Sequence, residues 1–186
     1  MDSKNSEREE KSSILSWITT IVGAVILYFI ITGFILNTTV VIGESMQPTL
    51  QQNNRLISLK FPLYYSNPEQ GDIIILDSPE EENKEYIKRV VGVPGDTIEI
   101  KDGSVYVNGQ IYSEDYIEEN TPTLIYNENS WTLGADEYFV MGDNRLPGKS
   151  LDSRYFGPIN KDTIRGIANF RYWPISEFGS IGGLND

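Results

Sequence analysis

The first strong pattern along the chain is one long apolar segment near the N-terminus. The stretch from Ile14 to Leu36 contains no charged residue. At 1.5 Å of rise per residue, a helix needs about 20 residues to cross the hydrocarbon layer of a bilayer. Residues 12–36 are therefore predicted to form a transmembrane anchor, because a buried helix apolar on every face would need a larger protein around it. The polar residues 1–11 are expected to form an unstructured tail.

After this segment, apolar residues come in short runs separated by turn residues, which is typical of β-strands. Residues 71–79 (GDIIILDSP) are continuously apolar at their centre, as in a buried strand. Residues 97–110 alternate on both sides of the Lys-Asp-Gly at 101–103, which predicts a hairpin. Further strands are predicted over 55–61, 85–93, 137–144 and 164–172.

These elements predict a mainly β protein with a single N-terminal transmembrane helix. The body covers residues 37–178, and residues 97–136 are expected to form a small β-hairpin subdomain within it. The glycine-rich residues 179–186 are predicted to be a frayed tail.

Basic residues are distributed unequally on the two sides of the apolar segment. Lys4, Arg8 and Lys11 precede it, and the next basic residue is Arg55. Positive charge favours the cytoplasmic side of a membrane helix. We therefore expect a single-pass protein of the cell membrane, with a cytoplasmic N-terminus and an extracytoplasmic body.

Composition limits the kinds of catalytic site and of binding partner that the chain can have. The chain has no histidine and no cysteine, which excludes a Ser-His-Asp triad, a thiolate nucleophile and the usual zinc sites. The formal net charge of −12 argues against nucleic acid as a partner, because phosphate binding needs a basic surface. No metal and no cofactor are expected.

Ser45 is a candidate nucleophile close behind the anchor. It stands in Ser-Met-Gln-Pro, nine residues after Leu36. A serine near a proline in a turn ordinarily does no more than satisfy the backbone with its hydroxyl, and Ser45 alone leaves that reading open.

Lys88 strengthens the interpretation of Ser45 as a nucleophile. Strand periodicity places Lys88 on the same face as Tyr86 and Val90, whereas Arg89 points the other way. Apolar neighbours favour the neutral amine, and a pKa depressed by roughly 2–3 units would let a lysine act as a general base near neutral pH. The alternative is a side chain that reaches past its neighbours to solvent.

A third group of polar residues follows the strand predicted over 137–144. Asp143, Arg145, Asp152 and Arg154 lie within twelve residues and suggest ion pairs that brace a turn. Ser150 is a candidate to hydrogen-bond the lysine amine and to fix its direction.

Four sequence blocks follow the predicted anchor in this order: 45–50 (SMQPTL), 71–75 (GDIII), 86–96 (YIKRVVGVPGD) and 142–157 (GDNR, then SLDSRYFG). Together they are far more specific than any one of them. Through these blocks the chain resembles the bacterial type I signal peptidases, and the short stretch between Lys88 and Gly142 suggests a Gram-positive type. The resemblance extends to about Pro174.

The resemblance implies a membrane-bound serine endopeptidase that cleaves N-terminal signal peptides from exported preproteins after small-x-small sites. It implies Ser45 as nucleophile, Lys88 as general base, and a body of two coiled antiparallel β-sheets with a nonpolar face near the membrane. The expected partners are signal-peptide-bearing preproteins and the lipid bilayer, and the chain is expected to be a monomer. The supporting residues are Ser150, Asp152, Arg154, Asp143, Arg89, Tyr86 and Met46.

Two departures from the family pattern bear on these roles. The family usually has two residues between GDNR and the following serine, and here residues 146–149 make four. Their Pro-Gly predicts a turn that bulges outward and leaves Ser150 in place. In some members a serine two positions before the nucleophile helps to bind the oxyanion, and here that position is Gly43. The Ser45 backbone N–H is then expected to be the main donor.

Two further functions use the same residues. The insertion suggests a catalytically weak relative that binds extended peptides, although a pure binder need not retain both Ser45 and Lys88. A self-cleaving regulator with the same Ser/Lys chemistry fits poorly, because the chain has an anchor and no DNA-binding region.

Overall fold

The N-terminal segment forms one long helix in the computed structural model, which describes the backbone of residues 2–181 and the side chains of residues 15–181. Helix α1 spans Asp2–Ile30 and continues as a π-helical turn at Ile31–Ile35. Its stretch Leu15–Ile35 has a mean hydropathy of 2.4 and is long and apolar enough to cross a membrane. The prediction of an apolar helix of membrane-spanning length is therefore confirmed.

The expectation of an unstructured tail is wrong for residues 2–11, because α1 already begins at Asp2. This stretch is rich in Glu, Lys and Arg, which are good helix formers. Extending a helix that the apolar segment has already nucleated needs no second nucleus, so polar residues of this kind continue it readily.

The chain divides into two compact units, Met1–Leu36 and Asn37–Asp186. The second unit is built almost entirely from strands joined by turns, as the alternating pattern predicted. Its helical elements are short: 3₁₀ turns at Phe61–Tyr64, Lys161–Thr163 and Ile175–Glu177, and one α-helical turn, α2, at Ser153–Phe156. The strands are β1 (Leu36–Val40), β2 (Arg55–Leu59), β3 (Ile73–Asp77), β4 (Glu85–Gly92), β5 (Thr97–Lys101), β6 (Ser104–Val107), β7 (Gln110–Ile111), β8 (Ser130–Thr132), β9 (Glu137–Met141), β10 (Ile159–Asn160), β11 (Ile164–Trp173) and β12 (Gly179–Ser180).

These strands form two sheets. The larger has eight strands in the order β1-β2-β11-β3-β4-β9-β10, with β12 beside β11. The pairs from β2 through to β10 are antiparallel. Strand β3 is central and pairs on both edges, which explains its continuous apolar run. The mainly β fold class is confirmed.

The smaller sheet has four strands in the order β7-β6-β5-β8. The predicted hairpin is β5–β6, and Asp102 and Gly103 form its turn with φ of 51° and 79°. The sheet gains a third and a fourth strand from β7 and β8, so this region is more than a hairpin.

Apolar side chains bury the smaller sheet against the β4–β9 region of the larger one. Ile98, Val105 and Trp131 of the smaller sheet belong to one core cluster with Val91 and Phe139. This contact places the loops of the smaller sheet behind the end of β9, where the residues of the third polar group begin.

The C-terminal tail is only partly as expected. Gly179 and Ser180 form β12 and pair with Arg171 and Phe170 of β11, so the expectation of fraying is wrong for these two residues. The pairing is possible because β3 covers β11 only as far as Ile167 and leaves this edge open. Residues 182–186 of the predicted tail lie outside the described residues.

Candidate active site

Ser45 lies in a tight turn that follows β1. Two backbone hydrogen bonds close this turn, from Gln47 N–H to the Glu44 carbonyl (3.1 Å) and from Leu50 N–H to the Met46 carbonyl (2.8 Å). The Met46 and Leu50 side chains are buried in a core cluster below the turn. The supporting role expected of Met46 is thus an anchoring contact, and it leaves Ser45 facing the cleft described below.

Glycine is favoured at position 43 by the backbone conformation and not by a lack of space for a side chain. Its φ is 98°, a conformation that residues with a side chain rarely adopt, although an added Cβ would meet no atom within 4 Å. A serine here would need a different backbone path. Within the part of the chain that the structure describes, the Ser45 backbone N–H donates no hydrogen bond, so it is free to bind an oxyanion.

Lys88 lies on β4 with its amine beside the serine. Its Nζ is 2.9 Å from Ser45 Oγ and 5.2 Å from the centre of the Tyr86 ring. The side chain is only 3% exposed. Burial lowers the pKa of Lys88 from 10.5 to about 8; the charges of Asp152 and Asp143 oppose this shift and that of Arg154 adds to it. The amine is thus poised to accept a proton near neutral pH.

Arg89 points away from Lys88, as strand periodicity predicted. Its guanidinium donates two hydrogen bonds to the Asp143 carboxylate, at 2.9 and 2.7 Å, and a third to the Gly71 carbonyl at 2.8 Å. Asp143 also accepts a hydrogen bond from Thr49 Oγ1 at 2.6 Å. Through Thr49, this ion pair ties β4 to the turn that carries Ser45.

Residues 142–145, here named the 142–145 loop, hold the backbone around Ser45. Asn144 donates from its backbone N–H to the Ser45 carbonyl (2.9 Å) and from Nδ2 to the Glu44 carbonyl (3.0 Å). A Cβ on Gly142 would collide with the Ser150 hydroxyl and the Ser45 carbonyl. Only glycine permits this close approach.

Asp152 and Arg154 form a fully buried ion pair close to Ser45 and Lys88, which are here together named the dyad. Arg154 donates to both carboxylate oxygens at 2.8 Å, and the Gly142 N–H donates at 3.1 Å. Burial alone would raise the pKa of Asp152, but Arg154, with the Ser150 hydroxyl and the Gly142 N–H, holds that pKa below its ordinary value. Asp152 is therefore a fixed negative charge near the amine.

Ser150 reaches the site by way of Asp152. Its hydroxyl donates to Asp152 Oδ2 at 2.7 Å, and within residues 15–181 it makes no hydrogen bond to Lys88. The four residues of the insertion, 146–149, are all exposed, whereas Ser150 is buried. The expected outward bulge agrees with this arrangement. Lys149 Nζ also lies 2.6 Å from Glu44 Oε2, which makes a surface ion pair next to Ser45.

The dyad opens into a cleft of about 1230 Å³. One wall is the chain from Thr39 to Met46, and the other is the start of β4 with the turn before it. Gly148, Lys149 and Leu151 border the cleft near Ser45. Within residues 15–181, no group of three or more acidic side chains is arranged to hold a metal ion.

The structure brings together Ser45, Lys88 and the seven supporting residues expected from the sequence, and Arg145 of the third polar group lies beside them. Sequence analysis missed the Thr49 contact to Asp143 and the two backbone contacts of Asn144. It also missed Glu114, which pairs with the buried Arg145. Asn144 lies within the GDNR block and could have been included, whereas nothing in its local sequence distinguishes Glu114.

Comparison with known proteins gives a consistent result. Residues 14–173 match the family model described as signal peptidase, peptidase S26. The chain belongs to this signal peptidase family. The match covers the apolar helix, the turn that carries Ser45, β4 and the 142–145 loop.

Similar proteins occur in several bacteria. Signal peptidase I P of Bacillus subtilis subsp. natto is 38% identical over 92% of this chain and 95% of that protein. Signal peptidase I of Bacillus licheniformis is 37% identical over 90% of this chain and 93% of that protein, and signal peptidase IB of Staphylococcus aureus (strain COL) is 37% identical over 90% and 94%. A solved signal peptidase I from Enterococcus faecalis V583 is 34% identical and covers 55% of this chain, with a TM-score of 0.46. As a member of the family, the chain is a serine peptidase.

Proposed function

We propose that this chain is a membrane-anchored endopeptidase that removes N-terminal signal peptides from exported preproteins after small-x-small sites. Ser45 is the nucleophile and Lys88 is the general base. The observation that carries the proposal is the 2.9 Å distance between Lys88 Nζ and Ser45 Oγ at a buried position where the pKa of the lysine is about 8. With that pKa, about a tenth of the molecules hold a neutral amine at pH 7.

Lys88 carries one proton in each half of the reaction. Neutral Lys88 accepts the proton of the Ser45 hydroxyl as Oγ attacks the carbonyl carbon of the scissile bond. The tetrahedral intermediate collapses when the Lys88 ammonium gives that proton to the leaving amine. A water molecule then attacks the carbonyl carbon of the acyl ester while Lys88 takes its proton. The bond from that carbon to Ser45 Oγ breaks, and Lys88 returns the proton to Oγ, which regenerates the enzyme.

The developing oxyanion is stabilised by the Ser45 backbone N–H, which has no partner among the described residues. In other enzymes, removing one such donor costs about 10²–10³ in rate. The 142–145 loop fixes this donor, because Asn144 holds the carbonyl groups on both sides of it.

The supporting residues act through the dyad. Asp152 and Asp143 stabilise the lysine ammonium that forms during the reaction, and their buried arginine partners fix their positions. Ser150 positions Lys88 indirectly, by holding the Asp152 carboxylate. Tyr86 covers one side of the amine and excludes water from it.

The substrate binds as an extended strand in the cleft. From Glu85 to Lys88, β4 pairs with β3 on one edge only, since β9 begins to pair at Arg89. Strand β1 ends the larger sheet on the opposite wall. Exposed edges of this kind bind extended peptides through backbone hydrogen bonds, and narrow pockets between the side chains admit small residues.

The membrane arrangement follows from the apolar stretch Leu15–Ile35. We place residues 1–11 in the cytoplasm, because Lys4, Arg8 and Lys11 are the basic residues nearest the segment, and residues 37–178 outside. Residues 97–136 form a subdomain of this body, and the chain acts as a monomer with the lipid bilayer as partner.

The test is cleavage of a precursor with an Ala-x-Ala site by the full chain in detergent micelles. The wild-type chain should cut after the second alanine, and Ser45→Ala and Lys88→Ala should each abolish cleavage without unfolding the body. Turnover by Lys88→Ala at a near-normal rate would show that another group is the base. Tight precursor binding without turnover by the wild-type chain would favour the peptide-binding alternative.

A further inference from the structure

The smaller sheet sends one segment into the region behind the active site. Residues 113–123, between β7 and β8, are here named the 113–123 segment. The Glu114 side chain is only 6% exposed and Tyr116 is half-buried, whereas Asp115 and Glu118 of the same segment are exposed. The proposed chemistry uses neither of the two inward-facing residues. They contact two arginines: Arg145, which belongs to the 142–145 loop, and Arg89, which follows Lys88 in the sequence.

The first contact is a buried ion pair between Glu114 and Arg145. Arg145 is 1% exposed, and its guanidinium faces both Glu114 oxygens, with Nη1 2.9 Å from Oε2. The same Nη1 donates to Thr123 Oγ1 at 2.7 Å, and Nε donates to the Gly142 carbonyl at 2.9 Å. A guanidinium held on several sides in this way has one orientation, so it fixes the 142–145 loop at both ends.

The second contact is made by Tyr116. Its ring centre lies 4.0 Å from Arg89 Cζ, and its hydroxyl donates to Glu114 Oε1 at 2.7 Å. Arg89 in turn holds Asp143 through two hydrogen bonds. The two contacts are therefore coupled at Glu114, and both end on the 142–145 loop.

Asn144 lies between Asp143 and Arg145, the two residues that these contacts hold. It donates to the carbonyl groups of Ser45 and Glu44. Any shift of the 142–145 loop is thus passed to the backbone that carries the nucleophile. Ser45 and Lys88 come from different elements, so nothing local to either of them maintains their separation. A displacement of about 1 Å at such a site can cost about 10²-fold in rate.

We propose that Glu114 and Tyr116 are positioning residues for Ser45, acting through Arg145 and Arg89 on the 142–145 loop. This inference rests on the proposed function of Ser45. The 113–123 segment does not line the cleft, so its contribution concerns the geometry of the nucleophile and not the binding of substrate. The smaller sheet is accordingly part of the catalytic framework.

The decisive comparison is Glu114→Gln against Glu118→Gln, the same chemical change at an exposed position of the same segment. Both full-length variants are assayed in detergent micelles, well below their Tm, on the Ala-x-Ala precursor. Glu114→Gln should lower kcat at least about tenfold and leave KM within about twofold, because the cleft is unchanged. Glu118→Gln should match the wild-type chain.

The Glu114→Gln variant with a lowered Tm but an unchanged kcat would overturn the proposal, since that pattern is the signature of a purely structural pair. A rise in KM with kcat unchanged would overturn it as well. Should Glu114→Gln fail to fold, Thr123→Val takes its place: it should lower kcat several-fold, and Thr123→Ser should restore it. An unchanged kcat in Thr123→Val would then refute the inference. A wild-type chain without Ser45-dependent turnover would instead refute the proposed function itself.

Discussion

Replacing Lys88 by methionine should remove the base and at the same time stabilise the folded protein near neutral pH. The reason is that the site holds a lysine where charge is unfavourable: the side chain is 3% exposed and its pKa is about 8 instead of 10.5. Methionine has a similar length and no charge to bury. The cost that the active site imposes on the fold can therefore be measured directly.

The magnitude follows from the pKa difference. Between pH 8 and 10.5 the unfolded chain binds more protons at this lysine than the folded protein does, so the free energy of unfolding rises with pH across that window. Below pH 8 the folded state bears nearly the full cost, about 3 kcal/mol at pH 7. At pH 10 the remaining cost is below about 1 kcal/mol.

The assay is urea unfolding of the full chain in detergent micelles at pH 7 and at pH 10, comparing wild type with Lys88→Met. The advantage of the variant should shrink by about 2–3 kcal/mol between the two conditions. Lys101→Met, at an exposed position, is the matched control and should differ from wild type by less than about 0.5 kcal/mol. An equal difference between Lys88→Met and wild type at both pH values would refute the depressed pKa.

Three further outcomes are expected. The kcat/KM of the wild-type chain should rise with pH around a midpoint near 8 as Lys88 loses its proton, and a profile flat from pH 6 to 10 would contradict this. Asp152→Asn should lower the free energy of unfolding by about 3–5 kcal/mol in urea, because it leaves the buried Arg154 unpaired, and a loss below about 1 kcal/mol would count against that role. Deleting Leu146 and Pro147 should leave kcat/KM within about threefold, since both residues are exposed; a larger fall would make the insertion functional.

Local sequence was most informative where one periodicity dominated. The alternation around β4 correctly put Lys88 and Arg89 on opposite faces, and the apolar run of β3 correctly indicated a buried strand. Prediction from local sequence failed where residues with a weak structural preference of their own adjoin an element that imposes its structure on them. The polar residues 2–11 are helical because the apolar helix continues into them, and Gly179–Ser180 forms β12 because β11 has an open edge.

Only some of the contacts that support Ser45 and Lys88 could be predicted from the sequence. Asp152 and Arg154 are two residues apart, so their pairing can be inferred from a short stretch of sequence. Glu114 and Arg145 are 31 residues apart, and Thr49 and Asp143 are 94 apart. Such pairs depend on how the two sheets pack, and no periodicity within a single strand encodes that packing.

By itself the sequence determined the apolar helix, most of the longer strands of the body and the kind of chemistry open to a chain without histidine or cysteine. Those properties depend on residue type and on local spacing. Only the tertiary structure brought Lys88 to 2.9 Å from a serine 43 residues earlier in the chain and buried its amine. The basicity of a lysine is set by its solvation and by the charges around it, and both exist only once distant segments have packed together.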